Sequence, residues 1–469
     1  MSAPGSGVAH DETDVDVVVI GGGPAGEVVA GRCADRGFDT ALVEQELVGG
    51  ECSYWGCIPS KTLLRPGDVL AAARRVPGAA AAVVGPVDVA AALARRDYMT
   101  SSWDDRGQEA WLAEHGVRLL RGVGRLAGHR RVSVDGAVVT ARRAVVLATG
   151  SSAVLPPVPG LAQVRPWDNR IATVAKEVPA RLLVLGGGPV GLELAQAFRR
   201  LGSAEVTVVE GGSRLLPREE PFAGDEVLAA FAREGIMVRL GALLTSVRRD
   251  GTDGPVHASL STGAEIVADE VLVAVGRRPR TADLGLDSIG LSPGRAVEVD
   301  DRLRAVGVDG GWLYAVGDCT GLAPLTHMGK YQARIAADVI TGGNLRDRAS
   351  RDAVTRVTFT DPQVCAAGLT AADAEQRGLA VRVLDAAVGD VPGSYVLGEG
   401  LGGTMRLVVD QATDVLLGAT VTGSGVQELL HSAAVAIAGR VPLRELVHAV
   451  PAFPTVSEVW LHALEAAGL

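Results

Sequence analysis

The chain has 469 residues, enough for about three domains of roughly 150 residues each. Its 47% hydrophobic content, 60 glycines and only 4% aromatics fit a layered α/β protein with many tight turns. A net charge of −10 gives no basic footprint for nucleic acid or an anionic membrane, and no stretch approaches the ~18 apolar residues of a membrane span, which leaves small-molecule chemistry.

The opening MSAPGSGVAHDETD lacks a basic stretch followed by an apolar run. Residues 1–13 are therefore expected to form a flexible arm, and the protein to be cytoplasmic. The apolar run Val15–Ile20 reads as a strand and leads straight into GGGPAG. Gly21, Gly23 and Gly26 then fit G-x-G-x-x-G, with a helix expected from near Glu27. The first glycine permits the turn, the second lets backbone approach a pyrophosphate, and the third lets helix pack on strand. A second strand, Asp39–Val43, ends in Glu44, placed to accept a hydrogen bond from a ribose hydroxyl.

The next marked stretch is GGECSYWGCIPSK, residues 49–61. Cys52 and Cys57 form a spaced pair, whereas Cys33, Cys319 and Cys365 are scattered and read as ordinary small core residues. In a regular helix residues five apart lie about 140° apart, so bridging the pair needs a distorted turn that brings the Cα atoms within about 7 Å. Gly49, Gly50, Gly56 and Pro59 make such a turn plausible.

The fingerprint returns in RLLVLGGGPVGLELAQAF, with Gly186, Gly188 and Gly191, and the strand Glu205–Val209 ends in Glu210. Two fingerprints 165 residues apart imply two Rossmann-type units and two dinucleotides. At Glu210 a carboxylate suits a free 2′-OH and repels a 2′-phosphate, which favours NADH. Arg214 and Arg218 lie close by and keep NADPH open as an alternative.

Taken together, GGGPAG, GGECSYWGCIPSK, LATG (147–150), GGGPVG, VGRRP (275–279), YAVGD (314–318), VTFTDPQV (357–364) and PTVSE (454–458) appear in an order that resembles the pyridine nucleotide-disulfide oxidoreductases. That family includes dihydrolipoamide dehydrogenase, glutathione and mycothione reductases and mercuric reductase. The resemblance implies an α/β fold with two Rossmann-type domains, for FAD and NAD(P), plus a C-terminal α+β interface domain. It places an FAD domain at 14–152 and 276–349, an NAD(P) domain at 153–275 and an interface domain at 350–469. FAD is expected on Gly21, Gly23, Gly26, Glu44, Gly50, Thr149, Gly150, Gly317 and Asp318. NAD(P)H is expected on Gly186, Gly188, Gly191, Glu210 and Gly276, passing hydride to the flavin. The pair Cys52/Cys57 is then a redox-active dithiol, with Cys57 next to the flavin and Cys52 as the interchange thiol. Lys61, one of only three lysines, is implied to pair with Glu193 beside the flavin ring. A homodimer is implied, closing each active site with the partner's C-terminal segment. No metal site is expected.

Two departures from the family pattern stand out. Glu51 occupies a position where relatives usually carry threonine. The family's His-Pro-Thr is here "AFPTVSE", with Phe453 at the histidine position and Glu458 retained. A positioned general acid supplies roughly 10² to 10⁴ in rate, about 3 to 5 kcal/mol of barrier. Its loss also removes the imidazolium that would favour the Cys52 thiolate. His448, five residues upstream, offers a replacement only at the expense of the PTVSE match; His327, His431 and His462 read as structural or exposed. Phenylalanine at this position resembles the 2-oxopropyl-coenzyme M reductase/carboxylase branch, which also replaces the glutamate. The leading expectation is an FAD-dependent NAD(P)H oxidoreductase acting on a disulfide, quinone or other small electrophile. Thiol-dependent C–S cleavage, a dihydrolipoyl dehydrogenase component of a 2-oxoacid dehydrogenase complex, and a non-catalytic flavin module are the alternatives.

Overall fold

The computed structural model describes residues 13–469, for Thr13 its backbone alone, so the expected arm lies outside the described residues except at Thr13, where the first strand opens. Among the described residues no helix is long and apolar enough to cross a membrane. The chain divides into two compact units.

The first unit comprises the described residues up to Tyr54 with Ser101–Ser152 and Arg278–Ser350. Its centre is a parallel sheet in the order Val117–Arg121, Thr40–Glu44, Thr13–Ile20, Ala137–Leu147, Leu313–Ala315. Val15, Val17, Val18 and Val19 are all fully buried, as a strand covered on both faces requires. The first half of Ala137–Leu147 also pairs antiparallel with Arg131–Val134. Helix Pro24–Asp35 begins three residues before the expected Glu27, because Pro24 at its first position has the helical φ preset and no N–H to leave unbonded.

The second unit comprises Trp55–Thr100, Ala153–Arg277 and Arg351–Leu469. It repeats the Rossmann pattern with the parallel order Ile236–Arg239, Glu205–Val209, Arg181–Leu185, Glu270–Val273. Helix Pro189–Leu201 lies between the first two strands in sequence and buries Leu192, Leu194, Ala195 and Phe198. The C-terminal part is a five-stranded antiparallel sheet ordered Thr355–Thr358, Gln363–Gly368, Leu416–Gly423, Thr404–Asp410, Val381–Ala387. Helices Leu430–Gly439 and Val459–Glu465 cover its core. A 3₁₀ turn at Val426–Leu429 precedes helix Leu430–Gly439, and strand Leu416–Gly423 starts after the left-handed Asp414 (φ +59°).

Candidate active site

The two glycine fingerprints repeat one another bond for bond. Gly21 (φ +106°) donates its N–H to the Val43 carbonyl, and Gly186 (φ +109°) donates to that of Val209, each at 2.9 Å. A Cβ on Gly26 or Gly191 would strike the carbonyl oxygen of Gly21 or Gly186, so each third glycine lets its helix close on its own turn. Gly23 and Gly188 differ, since a Cβ there would meet nothing within 4 Å. Both are N-cap residues, leaving bare backbone at the positive end of a helix dipole, which is how a pyrophosphate is taken. Glu44 accepts the N–H groups of Gly22 and Glu46, both at 2.7 Å, and Glu210 those of Gly187 and Gly212, both at 2.6 Å. Each carboxylate oxygen keeps a lone pair for a ribose hydroxyl. Both cradles therefore fit a dinucleotide. Gly23→Ala is expected to fold normally and lose flavin, whereas Gly26→Ala is expected to lose at least 1 to 3 kcal/mol of stability, the usual cost of overpacking. Flavin stoichiometry and the unfolding midpoint of the two variants separate these outcomes.

In the first unit the remaining expected flavin residues gather around the first cradle. Gly50 (φ +57°) packs so closely that a Cβ on it would lie 2.8 Å from Gly23 Cα. Thr149 Oγ1 donates to the Arg280 carbonyl at 2.7 Å, and Arg280 N–H donates to Gly150 O at 3.0 Å. Gly317 (φ +75°) donates its N–H to Gln332 Oε1 at 2.7 Å, and Asp318 accepts from Ser151 Oγ at 2.5 Å. Glu51 meets Arg280 at 3.6 Å, so the residue that departs from the family pattern has a cationic neighbour. Gln332, Ser151 and Arg280 were not singled out in the sequence; only Ser151, directly after LATG, carried a signal.

Glu27 stands in the first turn of the fingerprint helix. Burial pushes its carboxyl up to about 7, reinforced by Glu44 and opposed by Lys330. Because its folded value is raised above 4.5, the stability it contributes is complete below pH 4.5 and is lost as pH rises to about 7. Glu27→Gln is thus expected to stabilise the protein by about 3 kcal/mol above pH 7 and by less than about 1 kcal/mol at pH 5. Denaturation midpoints that stay parallel between pH 5 and 8 would contradict this.

Cys52 lies on helix Gly50–Tyr54 of the first unit and Cys57 opens helix Cys57–Arg74 of the second. The helical path breaks between them at Trp55 and Gly56, the latter at φ −126°, ψ −107°, outside the helical region. Both cysteines are half-buried, while Cys33, Cys319 and Cys365 are fully buried and their thiols pushed up to about 12 by desolvation. Those three are inert core residues. One turn beyond Cys57, Lys61 Nζ donates to Glu193 Oε2 at 2.6 Å and lies 4.9 Å from the Phe359 ring centroid. Glu193, only 5% exposed, also accepts the Phe359 N–H at 2.9 Å. Asn169 Nδ2 donates to the Trp55 carbonyl at 2.9 Å and its Oδ1 accepts from Arg277 at 2.9 Å. Arg277 follows Gly276 (φ +141°), so the Gly276 loop is tied to Trp55, one of the four residues between the cysteines.

In the C-terminal segment Phe453 is 75% exposed. Glu458 Oε2 is buried with no hydrogen-bond partner among the described residues. His327, His431 and His448 are exposed and His462 is half-buried. Among the described residues no group of three or more His, Cys, Asp or Glu is placed to hold a metal ion.

Residues 15–337 match the family Pyridine nucleotide-disulphide oxidoreductase, and residues 354–464 match its dimerisation domain. The chain is a pyridine nucleotide-disulphide oxidoreductase. It is 34% identical over 455 residues to a dihydrolipoyl dehydrogenase of Pseudomonas aeruginosa, covering 94% of this chain and 95% of that protein. It is 29% identical over 451 residues to a mercuric reductase of Lysinibacillus sphaericus, covering 96% of this chain and 82% of that one. Among solved structures, the Cu(II) complex of the HOCl-induced flavoprotein disulfide reductase RclA from Escherichia coli superposes with a TM-score of 0.84 at 26% identity, over 97% of this chain and 99% of RclA. Members of this oxidoreductase family use FAD and NAD(P)H.

Proposed function

We propose that this oxidoreductase takes a hydride from NADH and cycles Cys52 and Cys57 between disulfide and dithiol, passing electrons to a small electrophile such as a disulfide or quinone. The observation that carries this reading is the ion pair between Lys61, on the Cys57 helix, and Glu193, on the second fingerprint helix, with Glu193 5% exposed. A buried ion pair costs desolvation that a hydrophobic pair avoids, so a flavin module without turnover has no use for it. Gly21, Gly23, Gly26, Glu44, Gly50, Thr149, Gly150, Gly317 and Asp318 would hold FAD, and Gly186, Gly188, Gly191, Glu210 and Gly276 the nicotinamide nucleotide. Bound FAD supplies two-electron exchange between nicotinamide and thiols. Lys61 places a fixed positive charge at the head of the dithiol helix, and Glu193 holds that ammonium in place.

Two features narrow the reading. Glu210 would present a carboxylate to the adenosine ribose of a bound nucleotide, and Arg214 is committed to the carbonyls of Glu219 at 2.9 Å and Pro217 at 2.6 Å, which supports NADH over NADPH. Phe453 cannot carry a proton, so the acceptor is one that needs no imidazole acid. The dimerisation domain leaves Val450 (78%), Phe453 (75%), Tyr395 (70%) and Val396 (69%) exposed, an apolar set that a second copy of the chain would cover.

Thiol counting after anaerobic addition of one NADH per subunit tests the proposal. NADH, a proton and the disulfide give NAD⁺ and two thiols, so wild type is expected to gain two thiols per subunit and Cys57→Ser none. NADH is expected to exceed NADPH at least tenfold in kcat/KM. NADH oxidation without new thiols would overturn the dithiol reading, and a product that requires bicarbonate would point to C–S cleavage with carbanion trapping.

A further inference from the structure

The Cys57 helix and the second fingerprint helix are joined by two ionic rungs, seven residues apart on each. Lys61 meets Glu193 at 2.6 Å, and Arg200 Nη1 donates to Asp68 Oδ1 at 2.8 Å. The charges run plus-to-minus along one helix and minus-to-plus along the other, so sliding either helix breaks both rungs together. Between the rungs Pro66 interrupts the backbone ladder and Gly67 follows, where a Cβ would lie 2.7 Å from Arg200 Cδ. The aliphatic stem of Arg200 therefore lies against bare backbone.

Arg200 is 11% exposed and gathers two more carboxylates. It donates to both oxygens of Glu234, at 3.0 and 2.6 Å, and to Asp361 Oδ2 at 2.8 Å. Gln196, on the same helix face, holds the Asp361 backbone through its N–H (2.8 Å) and carbonyl (3.1 Å). Glu193, Gln196 and Arg200 thus fasten residues 359–361, whose Phe359 ring faces Lys61. A charge cluster of this kind is weak as a source of stability, and its best use is to fix a register.

We propose that Arg200 is a positioning residue of the dithiol centre, clamping Asp68 so that the Cys57 helix holds one axial register and Lys61 and Cys57 keep their places. This rests on the reading that Cys57 and Lys61 serve the reaction. The rung is also open to titration. Burial pushes the Asp68 carboxyl up to about 6, with Asp361 and Glu234 reinforcing and Arg200 and Arg65 opposing, and Arg75 is bonded to Asp361. A cavity of about 1120 Å³ is lined by Arg75, Arg200, Glu234 and Asp361. Below pH 6 the rung loses its anion.

The test uses the NADH-reduced holoenzyme with Asp68→Asn, Arg200→Met and Arg200→Lys, measuring iodoacetamide alkylation of Cys57 by peptide mass from pH 5 to 8, with kcat and KM for NADH. Wild type is expected to show a step near pH 6 in Cys57 alkylation, and Asp68→Asn to abolish it, lower kcat at least fivefold at pH 8 and leave KM within twofold. Arg200→Lys should recover more kcat than Arg200→Met. If Arg200→Met does not fold, Asp68→Asn, equal in shape, still decides. Wild-type kcat and an unchanged alkylation profile in the variants that fold would overturn the proposal. Full turnover by Cys57→Ser would instead sink the dithiol reading, while the alkylation profile still judges the rung, since Cys57 is present in all three rung variants.

Discussion

Phe453→His is expected to raise turnover of a dithiol/disulfide substrate such as dihydrolipoamide by roughly 10² to 10⁴, the usual contribution of a positioned general acid or base, equivalent to about 3 to 5 kcal/mol of barrier. The side chain is 75% exposed, so the substitution disturbs no packing within the chain. Glu458, which the family pattern assigns to orient the imidazole, offers a buried Oε2 with no hydrogen-bond partner among the described residues. An imidazole N–H that reached it would satisfy an acceptor whose isolation costs about 1 to 3 kcal/mol. The gained activity should rise with pH through the histidine's titration, near 6.5 for an unperturbed ring. Anaerobic NADH titration adds a second readout. A long-wavelength thiolate-to-flavin band in wild type would show that Cys57 and FAD already communicate, leaving substrate choice as the effect of Phe453. A band present only in the histidine variant would show that the dithiol idles without an acid and that acceptors react directly at the flavin. Unchanged disulfide turnover in Phe453→His would mean that an imidazole at this position does not limit this chain.

The parts of the molecule that were legible in its sequence are those fixed by neighbours in the chain. Gly26 strikes the Gly21 carbonyl of its own turn if given a side chain, so spacing reports its place, and the pattern is doubled by Gly191 against Gly186. Glu44 and Glu210 were legible because a strand of known rise carries them back to the turn, where they accept the Gly22 and Gly187 N–H groups. The break between Cys52 and Cys57 was signalled by Gly56. Contacts between residues distant in sequence were not legible. Arg200 reads locally as a cation in the last turn of its helix, favoured by the dipole; its partners Asp68 and Asp361 lie 132 and 161 residues away. Nor does any periodicity announce that Gln332 would bond Gly317, or that Asn169 would bridge Trp55 and Arg277. The Lys61–Glu193 pair was reached through family resemblance, since no local rule links positions 132 residues apart.

That pair also gives a prediction whose sign is counterintuitive. Lys61→Met should destabilise the protein by about 3 kcal/mol, near the low end of the range for breaking a buried pair because Lys61 itself is 34% exposed. What remains after the substitution is a carboxylate 5% exposed, bonded to the Phe359 N–H on one oxygen and deprived of its 2.6 Å partner on the other. Adding Glu193→Met to the Lys61→Met background removes that stranded charge, so the double variant should be more stable than the Lys61→Met single variant, although it lacks both members of the pair. The loss of the Phe359 N–H acceptor limits the recovery by about 1 kcal/mol, the net worth of an ordinary hydrogen bond. Function should follow the opposite course, with both variants losing NADH-driven dithiol formation because neither restores the ammonium. Urea midpoints for wild type, the two single variants and the double variant close the cycle. A double variant no more stable than Lys61→Met would show that Glu193 finds other partners or water once Lys61 is gone. Recovery of stability without recovery of thiol formation would establish that the pair is retained for its charge at the head of the dithiol helix and not for the fold.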